Sequence, residues 1–312
     1  MSSRFVKDHG LTARMTLTMF VLGLLFVTVI VGAMLLVDPG IGVIIGLVGL
    51  GIVWYQWWNS DKTALKAMRA RVVAPHEAPE LHAIIDRLCV MADMPKPTVA
   101  ISYTDLPNAF ATGRSPSHSA VCVTTGILDR LTLDELEGVL AHELSHVAHR
   151  DVMVMALASS AAIITGMLMR GSQYGALGMF GRRDGNSAIP AWLLILLVSI
   201  VVYAASFVAI KLLSRYRELA ADRAGAFLTG KPSALASALT KITGEIASIP
   251  QRDLRQAQPM NAFFIAPAVS GVSWRTLTAT HPSLEQRLEQ LAKVATELGR
   301  PMGGDFTSGT GV

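Results

Sequence analysis

Four long apolar blocks interrupt the chain, and the stretches between them carry helix and strand periodicities of ordinary soluble type. The first block, residues 15–37, is long enough at about 1.5 Å per residue to cross a hydrocarbon layer of about 30 Å. Arg4, Lys7 and Arg14 precede it, as in a signal peptide, but no small-residue cleavage site follows, so it reads as an uncleaved anchor. Asp38-Pro39-Gly40 is a turn, and the second block, residues 41–58, ends in Trp54, Tyr55, Trp57 and Trp58, the pattern of an aromatic belt at a membrane surface. The third block, residues 152–168, is short and rich in small residues; it either spans or only dips into the bilayer. A Gly-rich loop, residues 171–187, leads to the fourth block, residues 190–213.

The turn between the first two blocks has no Lys or Arg, whereas Lys62, Lys66, Arg69 and Arg71 follow the second. The positive-inside rule therefore places the N-terminus and residues 59–150 in the cytoplasm. Two further crossings return residues 215 onward to that side, although Arg170, Arg182 and Arg183 then fall on the outer side against the rule.

Within 59–150, residues 61–72 and 79–91 read as helices, and 98–103, 109–112 and 120–125 as short strands, with Ser115-Pro116-Ser117 as a turn. Thr132 followed by Glu135 fits a capping box, so a helix starts near Leu133; its pattern runs on past Arg150 into the third block. Residues 214–298 read as helical except around 256–274, and the Gly/Ser/Thr-rich tail 301–312 as disordered. The predicted class is α+β, mostly α-helical, with about four membrane-embedded helices and a cytosolic domain containing a small β-sheet. Its parts are an N-terminal helix pair (1–58), two halves of the cytosolic domain (59–150 and 214–300), a second membrane hairpin between them (151–213), and the tail.

Composition sharpens this picture. Of 312 residues, 51% are hydrophobic and only 16% charged, against about 25% charged in soluble domains, and the mean hydropathy is +0.44. The net charge of +4 is not gathered into a basic patch, which argues against a nucleic-acid partner and leaves the lipid bilayer. The two cysteines, Cys89 and Cys122, form no CxxC pair, so neither a disulfide framework nor a cysteine zinc site is expected. None of the four blocks contains Asp, Glu or His, which counts against an ion transporter.

The candidate chemistry lies in "AHELSHVAHRD", residues 141–151. His142 and His146 are four apart and share one helix face, so both imidazoles can meet one ion, while Glu143, offset round the helix, can reach a water on that ion. The plainer alternative is a solvated helix face with two histidines. Val139 and Leu140, one turn earlier, suggest instead that the face is buried, where two histidines and a glutamate are costly without a metal or partners. His149 continues the stripe, but three successive turns of a straight helix do not converge readily on one tetrahedral ion. The extended motif with a third histidine would need Gly at 149 and His at 152, where the chain has His149 and Val152. The better third ligand is Glu218 in "RYRELAADRAG", residues 215–225. Asp222, four residues on, can accept a hydrogen bond from a ligand imidazole.

These residues identify a resemblance. "PNAFATG" (107–113), "HELSHVAHRD" (142–151), "RELAADRAGA" (217–226) and "THPSLEQRL" (280–288), set among paired apolar blocks, resemble the HtpX-type membrane zinc metalloproteases, relatives of the CaaX prenyl proteases. The resemblance covers nearly the whole chain. It implies a gluzincin-like fold, one zinc ion per subunit on His142, His146 and Glu218, and Glu143 as general base. It further implies a cytosolic active site at the cell membrane, and as substrates the misfolded or damaged membrane proteins handled in stress-linked quality control. Asn108 and Ala109 fall on a predicted strand that could pair with an extended substrate: Asn108 to bond the peptide, Ala109 to let it approach. His281 and Arg287 match a family pattern in which either could stabilise the oxyanion. A prenyl-protein processing peptidase and a non-catalytic zinc-binding scaffold are the alternatives. The related prenyl proteases have more spans, and a scaffold leaves Glu143 without a role.

Overall fold

The computed structural model describes residues 8–36, 39–150, 191–248 and 282–300. The chain divides into two compact units. One comprises Met1–Leu11, Asn59–Val152 and Ser214–Val312; the other comprises Thr12–Trp58 and Met153–Leu213.

The second unit contains most of helix α1 (His9–Leu36) and helix α2 (Pro39–Trp58). Among the described residues one stretch, His9–Thr28, is long and apolar enough to cross a membrane. Its large side chains point outward: Leu17, Phe20 and Leu24 are exposed, as are Val43, Ile44 and Leu47 on α2. Such surfaces suit a hydrocarbon solvent and not water. At the end of α2 the Trp54 and Trp58 rings stack 5.5 Å apart, with Trp57 edge-on to both. The third apolar block lies outside the described residues.

The first unit is built on a four-stranded mixed sheet. Its strands are β1 (Arg71–Val72), β2 (Thr98–Ser102), β3 (Ala109–Ser115) and β4 (His118–Thr124), in the order β1-β2-β4-β3. β2 and β4 are parallel; β1 and β3 pair antiparallel with their neighbours. β3 is therefore an edge strand. The expected helix over 61–72 is shorter: α3 covers Ser60–Ala67, Arg69 takes a left-handed φ of 49°, and Arg71–Val72 is drawn into the sheet by pairing with Ala100 and Ile101. Helix α4 (Pro79–Ala92) follows the expected span, whereas α5 (Thr125–Arg130) was not foreseen. It forms because the Thr124 hydroxyl caps the Ile127 amide, which turns the last predicted strand residue into a helix start.

Helix α6 (Leu133–His149) carries His142, Glu143 and His146 through the middle of the unit. The capping box is present: Thr132 accepts from the Glu135 amide, and Glu135 accepts from the Thr132 amide at 2.8 Å. Every residue from Glu135 to Val147 is buried, so the helix is covered on all sides. Two of its charged N-terminal residues, both buried, are held from both flanks. Glu135 takes hydrogen bonds from Ser237 and Lys241, and Glu137 from Arg87 on α4 and from Lys231. The expected continuation past Arg150 does not occur: Arg150 is left-handed at φ 56° and its amide returns to the Val147 carbonyl, ending the helix. No glycine marks this cap, so the periodicity gave no stop.

Helix α7 (Ala191–Thr229), from Ser214 onward, belongs to the same unit, with α8 (Pro232–Ser248) and α9 (Leu284–Glu297). α6 and α9 both pack on α8 through a core including Leu140, Leu144, Leu235, Leu239, Leu291 and Val294. α6 and α7 approach each other closely. A Cβ at Gly225 would lie 2.8 Å from the His142 amide nitrogen, so only a hydrogen there lets the two backbones meet.

Candidate metal centre

The approach at Gly225 sets the geometry of the site. α7 lies against α6 at His142, and the residues one and two turns before the contact, Asp222 and Glu218, face the two imidazoles. Glu218 Oε2 is 3.6 Å from His142 Nε2, and Glu218 Oε1 is 3.6 Å from His146 Nε2. The two Nε2 atoms are 3.3 Å apart. One ligand atom from each of His142, His146 and Glu218 falls within 4.8 Å of the others, the only group among the described residues with that property. All three are buried, at 0%, 6% and 2% exposure. Two imidazole nitrogens and one carboxylate oxygen are a donor set suited to zinc, with a fourth position left for water or substrate.

Asp222, fully buried, accepts from His142 Nδ1 at 2.8 Å. That bond holds a proton on Nδ1 and makes Nε2, on the Glu218 side, the nitrogen available to a metal. Burial disfavours charge on the His142 ring, but the Asp222 carboxylate and Glu218 outweigh it and lift its pKa to about 9. Metal binding must therefore displace a proton from this ring. Burial likewise works against ionised Asp222, and the Arg287 guanidinium more than offsets it, holding the carboxyl below its ordinary range. His149 takes no part: its Nδ1 turns back to the Ser145 carbonyl at 2.8 Å.

Glu143 is 5% exposed and is reached from the sheet edge, where the Ala111 amide donates to its Oε2 at 2.9 Å. Burial raises its pKa, only partly countered by His142 and His146. The register explains why this amide points outward. Asn108 and Thr124 pair through the main chain, the Thr124 amide donating to the Asn108 carbonyl at 2.9 Å, so the odd residues Ala109 and Ala111 turn their main-chain groups to the open edge of β3.

The sequence also points to Asn108, Arg287 and His281. Asn108 is fully buried, and its main-chain amide and carbonyl are both bonded to Thr124, which anchors the start of the strand. Arg287 meets the site at Asp222. Its Nε and one terminal nitrogen hold Asp222 at 2.7 and 2.6 Å, on the Nδ1 side of His142 and away from Nε2. His281 lies outside the described residues. Arg217, which donates to Glu218 Oε1 at 3.1 Å, was missed, because nothing in the spacing tells a guanidinium beside a ligand from one in solvent.

Comparison with known proteins identifies the family. The model of "Peptidase family M48" matches residues 75–295. The chain is 55% identical over 300 residues to "Protease HtpX homolog 1" of Streptomyces coelicolor, covering 96% of this chain and 97% of that one. It is 47% identical over 299 residues to "Protease HtpX homolog 2" of Methanosarcina acetivorans, covering 96% and 100%. Among solved structures, S. mikatae Ste24p aligns over 86% of this chain and 66% of its own, with 17% identity and a TM-score of 0.44.

Proposed function

The chain belongs to peptidase family M48 and is a metalloprotease, and on that premise we propose that it is a zinc endopeptidase of the cell membrane, with Glu143 as its general base. The observation that carries this reading is the convergence of His142, His146 and Glu218 in one buried cluster, with the Glu143 carboxylate between that cluster and an open strand edge. Zinc held by these three residues would supply a Lewis acid that polarises the scissile carbonyl and acidifies water.

The remaining steps fall to the chain's own groups. An extended substrate adds to β3 through the main-chain groups of Ala109 and Ala111, whose small side chains allow close approach. The same addition draws the Ala111 amide away from Glu143 and frees its carboxylate. Glu143 then takes a proton from the attacking water and delivers it to the leaving amine, and the buried surroundings that raise its pKa make it a stronger base. Asp222 keeps His142 in the ligand tautomer throughout. Recognition of main chain and not of particular side chains suits unfolded segments, so we assign misfolded or damaged membrane proteins as the substrate class. The exposed apolar faces of α1 and α2 and the Trp54–Trp58 cluster support anchoring in the bilayer by several spans. The basic residues following α2 support a cytoplasmic active site.

A paired assay tests the reading. The full chain and its Glu143→Gln variant are purified in detergent with chelator, then given zinc and casein. Cleavage by the native chain alone, with zinc bound to both, is expected. Equal cleavage by both would refute the role of Glu143.

A further inference from the structure

Arg287 is 3% exposed and carries a full charge, yet the reading above gives it no work. It sits in the first turn of α9, where Ser283 and Gln286 form a capping box that fixes the start of the helix. Leu291, Val294 and Ala295 seat the same helix in the core, and Glu297 holds Arg223 of α7 by two bonds of 2.9 and 2.8 Å. α9 is thus pinned to α7 at both ends, and its first pin is at the metal centre.

The contact there is bidentate. Arg287 Nε donates to Asp222 Oδ2 at 2.7 Å, and a terminal nitrogen donates to Oδ1 at 2.6 Å. Oδ1 is the same oxygen that accepts from His142 Nδ1 at 2.8 Å. Arginine has donors only, so its closeness to Nδ1, at 3.5 Å, is not a hydrogen bond but two donors converging on one acceptor. With both carboxylate oxygens fixed by a planar fork, Asp222 cannot rotate, and Oδ1 stays aimed at the imidazole.

Charge points the same way. Glu143, Glu218 and Asp222 are all at most 5% exposed. Three carboxylates at that depth are not sustained by one divalent ion, and Arg287 is the more deeply buried of the two arginines at the cluster: Arg217, on Glu218, keeps 15% of its side chain exposed. An arginine serving only as a tether for α9 would not need to share the oxygen that orients a ligand.

We propose that Arg287 is a positioning residue of the metal centre: it locks Asp222 against His142, so that the C-terminal helix α9 completes a site whose ligands all lie on α6 and α7. The inference rests on the ligand assignment above.

The test measures zinc affinity of the full chain in detergent by competition with a chromophoric chelator, so no catalytic readout is needed. Arg287→Met is expected to bind zinc about 10–100-fold more weakly, the range typical of lost outer partners of a ligand. Arg287→Lys, which keeps charge but not the fork, should recover part of the loss. Because Arg287 acts through Asp222, the double variant Asp222→Asn/Arg287→Met should bind no more weakly than Asp222→Asn alone, whereas independent structural roles would multiply. Zinc affinity within two-fold of the native chain in Arg287→Met, or a further loss in the double variant, would overturn the proposal. Should Arg287→Met fail to fold through its unpaired aspartate, the comparison of the double variant with Asp222→Asn decides alone. Glu218→Gln is measured beside them. If it keeps native affinity, the ligand assignment itself falls; if it loses zinc while Arg287→Met does not, only the role of Arg287 falls.

Discussion

Replacing Gly225 by alanine should damage the metal centre although it touches no ligand side chain. In a helix interior this change ordinarily stabilises by about 0.5–1 kcal/mol, because glycine has more backbone freedom to lose. Here the new Cβ would meet the His142 amide nitrogen at 2.8 Å, and the Ala141 carbonyl carbon and His142 Cα at 3.1 Å. The shortest of these is about 0.6 Å inside ordinary contact, which begins near 3.4 Å. The obstructing atoms are backbone on both sides, so no side chain can swing away; α6 and α7 must separate. Overpacking of this kind costs about 1–3 kcal/mol, which outweighs the propensity gain, so the net effect is destabilising. Asp222 and Glu218 move with α7, and a site of this kind tolerates only about 0.5 Å. A displacement approaching 1 Å costs about 100-fold in rate. Gly244→Ala on α8 is the control: a Cβ there meets nothing within 4 Å, so it should gain the propensity term and leave cleavage unchanged. The assay is thermal unfolding, zinc affinity and casein cleavage on both variants. A Gly225→Ala protein that melts no lower than the native chain and cleaves at the native rate would refute the claim that this contact positions Glu218 and Asp222.

Two further predictions concern the frame of the site. Burial works against an ionised Glu135, but Lys241, Ser237 and the Thr132 cap overcome it and bring its pKa from 4.5 down to about 2. Since the folded value is the lower, this contribution to stability is complete above about pH 4.5 and is lost as the pH falls toward about 2; Glu135→Gln should flatten that part of the stability–pH curve, and an unchanged slope would contradict it. Both thiols are free and buried, and burial pushes Cys89 up to about 11 and Cys122 up to about 12. Neither should react with a thiol reagent at pH 8 in the folded protein and both should in denaturant; rapid labelling of the native chain would show that the packing around β4 and α4 opens.

Much of the site was legible in the chain because its information is local. Helical spacing alone brings His142 and His146 to one face with Glu143 offset from it, and Thr132 and Glu135 announce where that helix begins. The first apolar block was equally plain, since solubility in hydrocarbon depends on composition over a window and not on any partner. Glu218 was reachable by resemblance and by its four-residue spacing from Asp222, but no rule of sequence places α7 against α6. That depends on Gly225, whose missing side chain matters only once a second backbone lies 2.8 Å from where it would be. Other features had no local trace at all. Arg71 and Val72 become a strand because β2 offers them an edge, Arg150 ends a helix without glycine, and the strand register turns the main-chain groups of Asn108 to β4 and those of Ala109 to the open edge. Arg287 could be singled out from the sequence but not assigned, because its role depends on which oxygen of Asp222 it holds. The sequence determined the ligand types and their spacing along each helix. Only the tertiary structure decided how the helices meet, because a contact between residues 65 positions apart is set by the packing of the whole unit and leaves no period in the chain.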